Sequence, residues 1–267
     1  MKITAGNIYG SLEDIRAKSP LVHNITNYVV MNNTANALLA IGASPVMIHA
    51  EEEVADMAAI ASALVINIGT LSPPWVRGMF KAFVKAAENG VPVVIDPVGA
   101  GATPYRTKTI RELINASIPA IIRGNASEIL ALLDDSLRTK GVDSTAASNE
   151  ALSAAQYLSR QRHCTVCISG EVDYIVSGDR VIKIANGHPM MTRVTGLGCT
   201  ATAICGAFAA VEKDFLAAAA KAMAVMGIAG EMAAAKSPGP GSLQMNFLDI
   251  LFNLSENDIR TYLKVEE

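Results

Sequence analysis

Short apolar runs rich in Val and Ile alternate with longer, Ala-rich segments along the first two thirds of the chain. The apolar runs are "SPLVHNIT", "SPVMIHA", "ALVINIG", "VPVVIDPVG", "PAIIRGN" and "CTVCISG". Strands that are apolar on both faces and separated by helices are typical of a parallel sheet covered on both sides. The pattern therefore predicts an α/β fold, with a mostly parallel central sheet and helices on both of its faces.

The last third of the chain has a different character. The stretch "DYIVSGDRVIKIAN", with Ser177-Gly178-Asp179 as its turn, predicts an antiparallel hairpin at the sheet edge. Residues 199–235 are rich in Ala, Met and Gly and predict two or three closely packed helices. After "SPGPGS", Ser242 is expected to cap a final helix with one apolar face, formed by Phe247, Leu248, Leu251 and Phe252. No interdomain linker interrupts the pattern, so residues 1–267 are predicted to form a single domain.

Charge and cysteine content limit the classes of function. A formal net charge of -3 over 267 residues provides no basic surface for binding nucleic acid. The sequence lacks a signal-like start and a long uncharged apolar run, which predicts a cytoplasmic protein that is not inserted in a membrane. The four cysteines of the chain are expected to be reduced thiols and not a framework of disulfides. Cys164 and Cys167 are expected to point to opposite faces of one strand as buried structural residues, not as a metal pair.

Polar residues collect where the predicted strands end. They lie in the segments 23–27, 47–49, 67–70, 96–101, 123–125 and 169–171. In open α/β sheets, ligands bind outside the carboxyl ends of the strands. We therefore expect the functional site at this edge, with His23 as the histidine best placed to line it.

The segment "GLGCTA" opens the first of the late helices and formally matches a dinucleotide-binding fingerprint. Its context argues against dinucleotide binding. The segment follows the polar "MMTRVT" instead of a first strand, and no later predicted strand ends in an acidic residue that could bind the ribose hydroxyls. Glycines that allow close backbone approach, followed by free N–H groups at a helix start, instead predict an anion-binding loop. A tight connecting loop without a ligand is the alternative.

Two further segments carry groups suited to phosphate chemistry. In "IDPVGAGAT", Asp96 ends a strand, where its carboxylate can hold Mg²⁺ directly or through water, although Asp before Pro is also a common turn former. In "RGNASEI", Arg123 can pair with a phosphate, and Asn125 or Ser127 caps a helix that carries Glu128 in its first turn. Glu128 could equally have no ligand and only stabilise this helix, because a negative charge in the first turn interacts favourably with the helix dipole. The sequence contains no P-loop, no serine nucleophile elbow and no H-E-x-x-H zinc motif.

Together these segments resemble the hydroxyethylthiazole kinase family of the ribokinase-like superfamily. The resemblance rests on "SPLVHNITNYVVMNNTANALLAIGASPVM", "DPVGAGAT", "RGNASEI", "SGEVDYI" and "PMMTRVTGLGC", in consistent order from about Ser19 to Phe252. It implies a ribokinase-like fold and ATP-dependent phosphorylation of 4-methyl-5-(2-hydroxyethyl)thiazole in thiamine salvage, with Mg²⁺. It also implies a homotrimer with sites at the subunit interfaces, although the apolar "YVVMNNTANALLA" could equally be an internal core helix.

The resemblance also implies roles for individual residues. Met47 and Gly196 would contact the thiazole, and the "HNITN" segment, including Asn24, would border its pocket. Arg123 and Ser169 would contact the nucleotide, while Asp96 and Glu128 would serve magnesium and the phosphates.

Cys199 departs from the wider superfamily, whose Gly-rich loop usually ends in an aspartate that accepts the proton of the attacking hydroxyl. We expect the backbone from Gly196 through Gly198 to Cys199 to bind the transferring phosphoryl group, with Cys199 as a weak proton acceptor or as pocket lining. Two alternative functions are an ADP-dependent hydrate dehydratase of the same superfamily and a non-catalytic trimeric protein that binds thiazole or nucleotide.

Overall fold

A computed structural model describes residues 2–133 and 144–267, with side chains described for 2–133 and 150–267. Nine strands of these described residues form one central sheet, in the spatial order β2-β1-β3-β4-β5-β6-β7-β8-β9. The strands are β1 (Leu21–Ile25), β2 (Ser44–Val46), β3 (Ala63–Asn67), β4 (Val93–Asp96), β5 (Ile121–Asn125), β6 (Thr165–Ser169), β7 (Asp173–Ser177), β8 (Arg180–Ile184) and β9 (Val265–Glu266).

The first six strands are parallel, and each lies within one of the six apolar runs. Strands β6 to β9 pair antiparallel, so the predicted hairpin is present as β7 and β8, and β9 extends the sheet beyond it. This mostly parallel sheet with helices on both faces confirms the predicted α/β architecture.

Helices cover both faces of the sheet. They are α1 (Ala5–Lys18), α2 (Met31–Ala40), α3 (Val54–Ile60), α4 (Pro73–Glu88), α5 (Pro104–Ala116), α6 (Ala126–Leu132), α7 (Ser144–Arg162), α8 (Leu197–Val211), α9 (Phe215–Ala235), α10 (Pro240–Asn253) and α11 (Glu256–Tyr262), with a 3₁₀ turn at Pro189–Arg193. Helices α1, α2 and α8 to α11 share one core with one sheet face, and α3 to α7 share a second core with the other.

The two cysteines of the CxxC lie on opposite sides of the sheet as expected, with Cys167 inside β6 and Cys164 directly before it. Cys167 belongs to the core on the α8 side of the sheet, and Cys164 belongs to the core on the opposite side. Both are buried free thiols, and burial raises the pKa of Cys164 to about 12. The CxxC spacing therefore has a packing role.

The late helical region is partly as predicted. Residues 199–235 form two helices, α8 and α9, but Ser242 lies inside the first turn of α10, whose N-cap is Gly239. Phe252 is exposed instead of facing the core, because α10 packs through Leu243, Phe247 and Leu251. The short helix α11 follows α10, so α10 is not the last helix.

Helix α9 is long and apolar enough to cross a membrane by length and composition alone. However, 83% of its most apolar window is buried inside the protein. That burial is typical of the core helix of a soluble protein, which passes the same test.

Candidate functional site

The first turn of α8 lies beside the carboxyl ends of the parallel strands. Its N-cap, Gly196, has a φ of +83°, a left-handed conformation that favours glycine. A Cβ at this position would lie 2.6 Å from Cγ1 of Val30, so there is no space for a side chain. Among the described residues no side chain caps this helix, which leaves its first N–H groups available to an anion.

Hydrogen bonds connect this first turn to the ends of β4 and β5. The hydroxyl of Thr202 donates to Oδ2 of Asp96 over 2.8 Å. Nη1 of Arg123 donates to the carbonyl oxygen of Gly198 over 3.0 Å. A buried carboxylate and a guanidinium therefore lie next to the open helix N-terminus.

A chain of side-chain amides connects Cys199 to Asp96. Nδ2 of Asn27 lies 3.5 Å from the Cys199 sulfur and donates to Oδ1 of Asn67 over 2.9 Å. Nδ2 of Asn67 in turn donates to Oδ2 of Asp96 over 2.8 Å. The polar residues at the ends of β1, β3 and β4 thus form one network under α8.

The electrostatic environment disfavours ionised acids here. Burial raises the pKa of Asp96 to about 6, although the nearby Arg123 acts in the opposite direction. Burial and the negative charge of Asp96 raise the pKa of Cys199 to about 11. Cys199 is therefore a neutral thiol at physiological pH, and thiolate chemistry is disfavoured.

Glu128 helps to cap the start of α6 and accepts a hydrogen bond from the loop after β4. Its Oε2 accepts from the backbone N–H of Asn125 over 2.8 Å, and Oδ1 of Asn125 accepts from the N–H of Glu128 over 2.9 Å. Its Oε1 accepts from the backbone N–H of Gly99 over 2.9 Å. Asn125 is therefore the N-cap of α6, one of the two residues expected to cap it, and Glu128 completes a capping box and additionally fixes the loop after β4.

The carboxylates fit a magnesium ion that is completed by phosphate oxygens and water. Oδ1 of Asp96 is buried and has no hydrogen-bond partner among the described residues. Both oxygens of Glu128 already accept one backbone N–H each, which favours contact through water. Within the described ranges, no three His, Cys, Asp or Glu side chains are grouped as a metal cage. Magnesium sites that use substrate phosphates need only one or two carboxylates.

The other expected site residues differ in position and in access. Met47 is half-buried after β2, and the hydroxyl of Ser169 at the end of β6 donates to the carbonyl oxygen of Gly124 over 3.4 Å. Asn24 is buried within β1, where its Nδ2 donates to the carbonyl oxygen of Val22. His23 is also buried, with Nε2 2.8 Å from the carbonyl oxygen of Ile48, and burial lowers its pKa.

The sequence did not single out Asn27, Asn67 or Thr202 as individual site residues. The first two lie within polar segments that were expected at the edge, but which amide would contact Asp96 depends on the register of neighbouring strands. Thr202 could have been predicted from its spacing. It follows Gly198 by four residues and so lies one helical turn further along the same face of the helix.

An α/β sheet whose polar carboxyl edge meets an open helix N-terminus, with an arginine and a buried carboxylate alongside, is typical of proteins that bind phosphate groups. The comparisons with known proteins specify the class further. The model of the "Hydroxyethylthiazole kinase family" matches residues 12–257. The chain therefore belongs to the hydroxyethylthiazole kinase family and is a kinase.

Individual relatives agree with this assignment. A protein of Syntrophus aciditrophicus described as hydroxyethylthiazole kinase is 61% identical and covers 99% of this chain and 98% of its own length. The solved hydroxyethylthiazole kinase of Pyrococcus horikoshii is 45% identical, with a TM-score of 0.90 and 98% of each chain covered. A ribokinase-like superfamily protein of Enterococcus faecalis is 13% identical, with a TM-score of 0.64, covering 96% of this chain and 90% of its own. This last likeness concerns the fold alone, which is ribokinase-like.

Proposed function

We propose that this kinase transfers the γ-phosphoryl group of ATP to the hydroxyl of 4-methyl-5-(2-hydroxyethyl)thiazole in thiamine salvage. The hydroxyl oxygen forms the new bond to phosphorus, the bond from phosphorus to the β–γ bridging oxygen breaks, and the hydroxyl proton is released. The observation that carries the proposal is the open N-terminus of α8 beside Arg123 and Asp96, in a chain with highly similar relatives named for this activity.

The backbone of the first turn of α8 is proposed to bind the transferring phosphoryl group. The N–H groups from Gly196 to Cys199 would surround its oxygens, and the guanidinium of Arg123 would balance its developing charge. Ser169, at the end of β6, would contact the nucleotide. Phosphoryl transfer depends chiefly on positioning and charge stabilisation, which this arrangement provides without a strong base.

Asp96 and Glu128 are proposed to hold magnesium, Asp96 through its unpartnered Oδ1 and Glu128 through water. When bound, magnesium neutralises charge on the phosphate oxygens and orients them for in-line displacement. Asp96 is suited to this role because Asn67 and Thr202 hold its other oxygen.

The thiazole side of the site is proposed to lie at the ends of β1 and β2. Met47 and Gly196 would contact the ring, and Asn24 would border the pocket from its buried position in β1. We also propose a cytoplasmic homotrimer in which neighbouring subunits complete the pocket. The small-molecule partners are then the thiazole alcohol and ATP.

The direct test follows ADP release by the purified protein with ATP and Mg²⁺, with and without the thiazole alcohol. We expect ADP release and a phosphate monoester product only when the alcohol is present. The matched control is 4-methyl-5-ethylthiazole, which has the same ring but no hydroxyl and should give no ADP. Tight binding of both ligands without ADP release would instead support a binding protein, and ADP-dependent turnover of a hydrate would support the dehydratase.

A further inference from the structure

The two carboxylate oxygens of Asp96 have unequal hydrogen bonding. Oδ2 accepts from Nδ2 of Asn67 over 2.8 Å and from the hydroxyl of Thr202 over 2.8 Å. Oδ1 has no partner within the described part of the chain, although it is buried. A carboxylate oxygen carries charge, so leaving it buried and unpaired costs more than leaving a neutral hydroxyl unpaired, and a cation at Oδ1 would remove that cost.

The surroundings of Asn67 determine which way its amide points. Its Oδ1 accepts from Nδ2 of Asn27 and from the backbone N–H of Gly69, both over 2.9 Å. A flipped amide would place its NH₂ group against the Gly69 N–H, which can only donate. Nδ2 of Asn67 therefore has to face Asp96.

The single hydroxyl proton of Thr202 has two acceptors within reach. Oδ2 of Asp96 lies at 2.8 Å, and the carbonyl oxygen of Gly198 lies at 3.3 Å. That carbonyl already accepts from Nη1 of Arg123. A hydrogen bond to a carboxylate is shorter and stronger than one to a neutral carbonyl, so the Thr202 hydroxyl donates to Asp96.

All three residues are almost completely buried, with exposures of 1% for Asn67 and Asp96 and 0% for Thr202. Water therefore does not compete for these hydrogen bonds. Asn67 and Asp96 end neighbouring, directly paired strands, and Thr202 lies inside α8, so regular secondary structure holds both donors.

We propose that Asn67 and Thr202 are positioning residues that occupy Oδ2 of Asp96 and so present Oδ1 alone to the divalent cation. The inference rests on the proposed function, in which Asp96 serves that cation. Outer partners that orient a metal-ligating carboxylate typically contribute 10- to 100-fold in metal affinity or activity. Thr202 is the better residue to test, because its side chain can be altered with little change of shape.

The experiment measures Mn²⁺ binding to the whole protein in the presence of ADP, by electron paramagnetic resonance of free Mn²⁺. Thr202→Val keeps the shape of the side chain and removes the hydroxyl. We expect about 10- to 100-fold weaker Mn²⁺ binding, with unchanged ADP affinity in the absence of metal. In turnover, kcat should fall over a similar range while KM for the alcohol changes little, and Thr202→Ser should restore both properties.

Thr200→Val provides a matched control on the same helix. Thr200 is as buried as Thr202, but its hydroxyl has no hydrogen-bond partner among the described residues. The same chemical change at this position should leave Mn²⁺ binding and kcat as they are in the parent protein. Circular dichroism confirms folding of each variant, and Thr202→Ala replaces the valine variant should that one not fold.

Unchanged Mn²⁺ binding in folded Thr202→Val overturns the proposal, and so does an equal loss in Thr200→Val. The outcome is separable from that of the proposed function. A parent protein that does not phosphorylate the thiazole alcohol contradicts the function, whereas the Mn²⁺ measurement with ADP needs no alcohol and still tests the positioning of Asp96.

Discussion

At the residue scale, Cys199 lies in the first turn of α8, where the attacking hydroxyl is proposed to bind, and burial and Asp96 raise its pKa to about 11. A carboxylate in its place would accept the hydroxyl proton more readily. General-base assistance typically contributes about 10²- to 10⁴-fold. We therefore expect Cys199→Asp to increase kcat for the thiazole alcohol, as measured by steady-state ADP release.

Two further substitutions separate a basic side chain from a change of shape. Cys199→Asn has nearly the shape of the aspartate variant without its charge and should not increase kcat. Cys199→Ala should retain near-normal activity if the sulfur only lines the pocket. A folded Cys199→Asp protein with unchanged or lower kcat would show that proton removal does not limit the reaction.

Asp173, at the start of β7, predicts a pH dependence of stability. Burial raises its pKa to about 6, although the Gly170 N–H and Arg123 oppose the shift. The unfolded chain releases this proton near pH 4, so the folded state binds more protons between about pH 4 and 6. The contribution of the protonated group is fully present below pH 4 and is lost as the pH rises through 6.

Asp173→Asn removes this titration while keeping an oxygen that can accept from Gly170. At pH 7 we expect the variant to be more stable by up to about 3 kcal/mol, with little difference near pH 4. Urea unfolding at both pH values measures this. Asp249→Asn, a change of the same type at an exposed position of α10, should have little effect at either pH. A stability difference for Asp173→Asn that does not vary with pH would contradict the argument.

At the element scale, the start of α8 depends on Gly196. The positive φ of this residue and the proximity of Val30 both exclude a side chain. We expect Gly196→Ala to displace the first turn of α8, lower kcat by at least about tenfold, and destabilise the protein by about 1–3 kcal/mol. Steady-state kinetics and urea unfolding measure the two effects.

Gly10→Ala is the matched control for this prediction. Gly10 lies within α1, has no atoms within 4 Å of an added Cβ, and does not have a positive φ. Alanine there should leave kcat unchanged and stabilise the protein by about 0.5–1 kcal/mol, as expected for a helix interior. If Gly196→Ala behaved like Gly10→Ala, α8 would not require a left-handed residue at its start.

The elements also show how far the sequence could predict this molecule. All six parallel strands follow from apolar runs, because a strand buried on both faces has to be apolar throughout. The end of the chain was less predictable, since Ser242 offers a good cap but Gly239 and Pro240 begin α10 earlier. In the site, Asp96 and Arg123 were predictable from strand ends, whereas the contacts of Asn67 with Asp96 required the register between β3 and β4.

At the scale of the whole molecule, one helix links the two sides of the site. The first turn of α8 contacts the Asn27 amide on the side of β1 and Arg123 on the side of β5. The alcohol and the nucleotide are proposed to lie on these two sides, so small movements of α8 would affect both.

The proposed trimer gives the last prediction. Tyr28 and Val29, in the turn between β1 and α2, are 63% and 62% exposed and place apolar surface next to the site. If a neighbouring subunit covers them, the solution mass should be three times the chain mass of 28.0 kDa, and Val29→Glu should reduce both this mass and kcat. Light scattering coupled to size exclusion measures the mass. Val84→Glu, at an exposed valine of α4, should leave the mass and kcat unchanged. A monomeric parent protein with full activity would exclude a shared site.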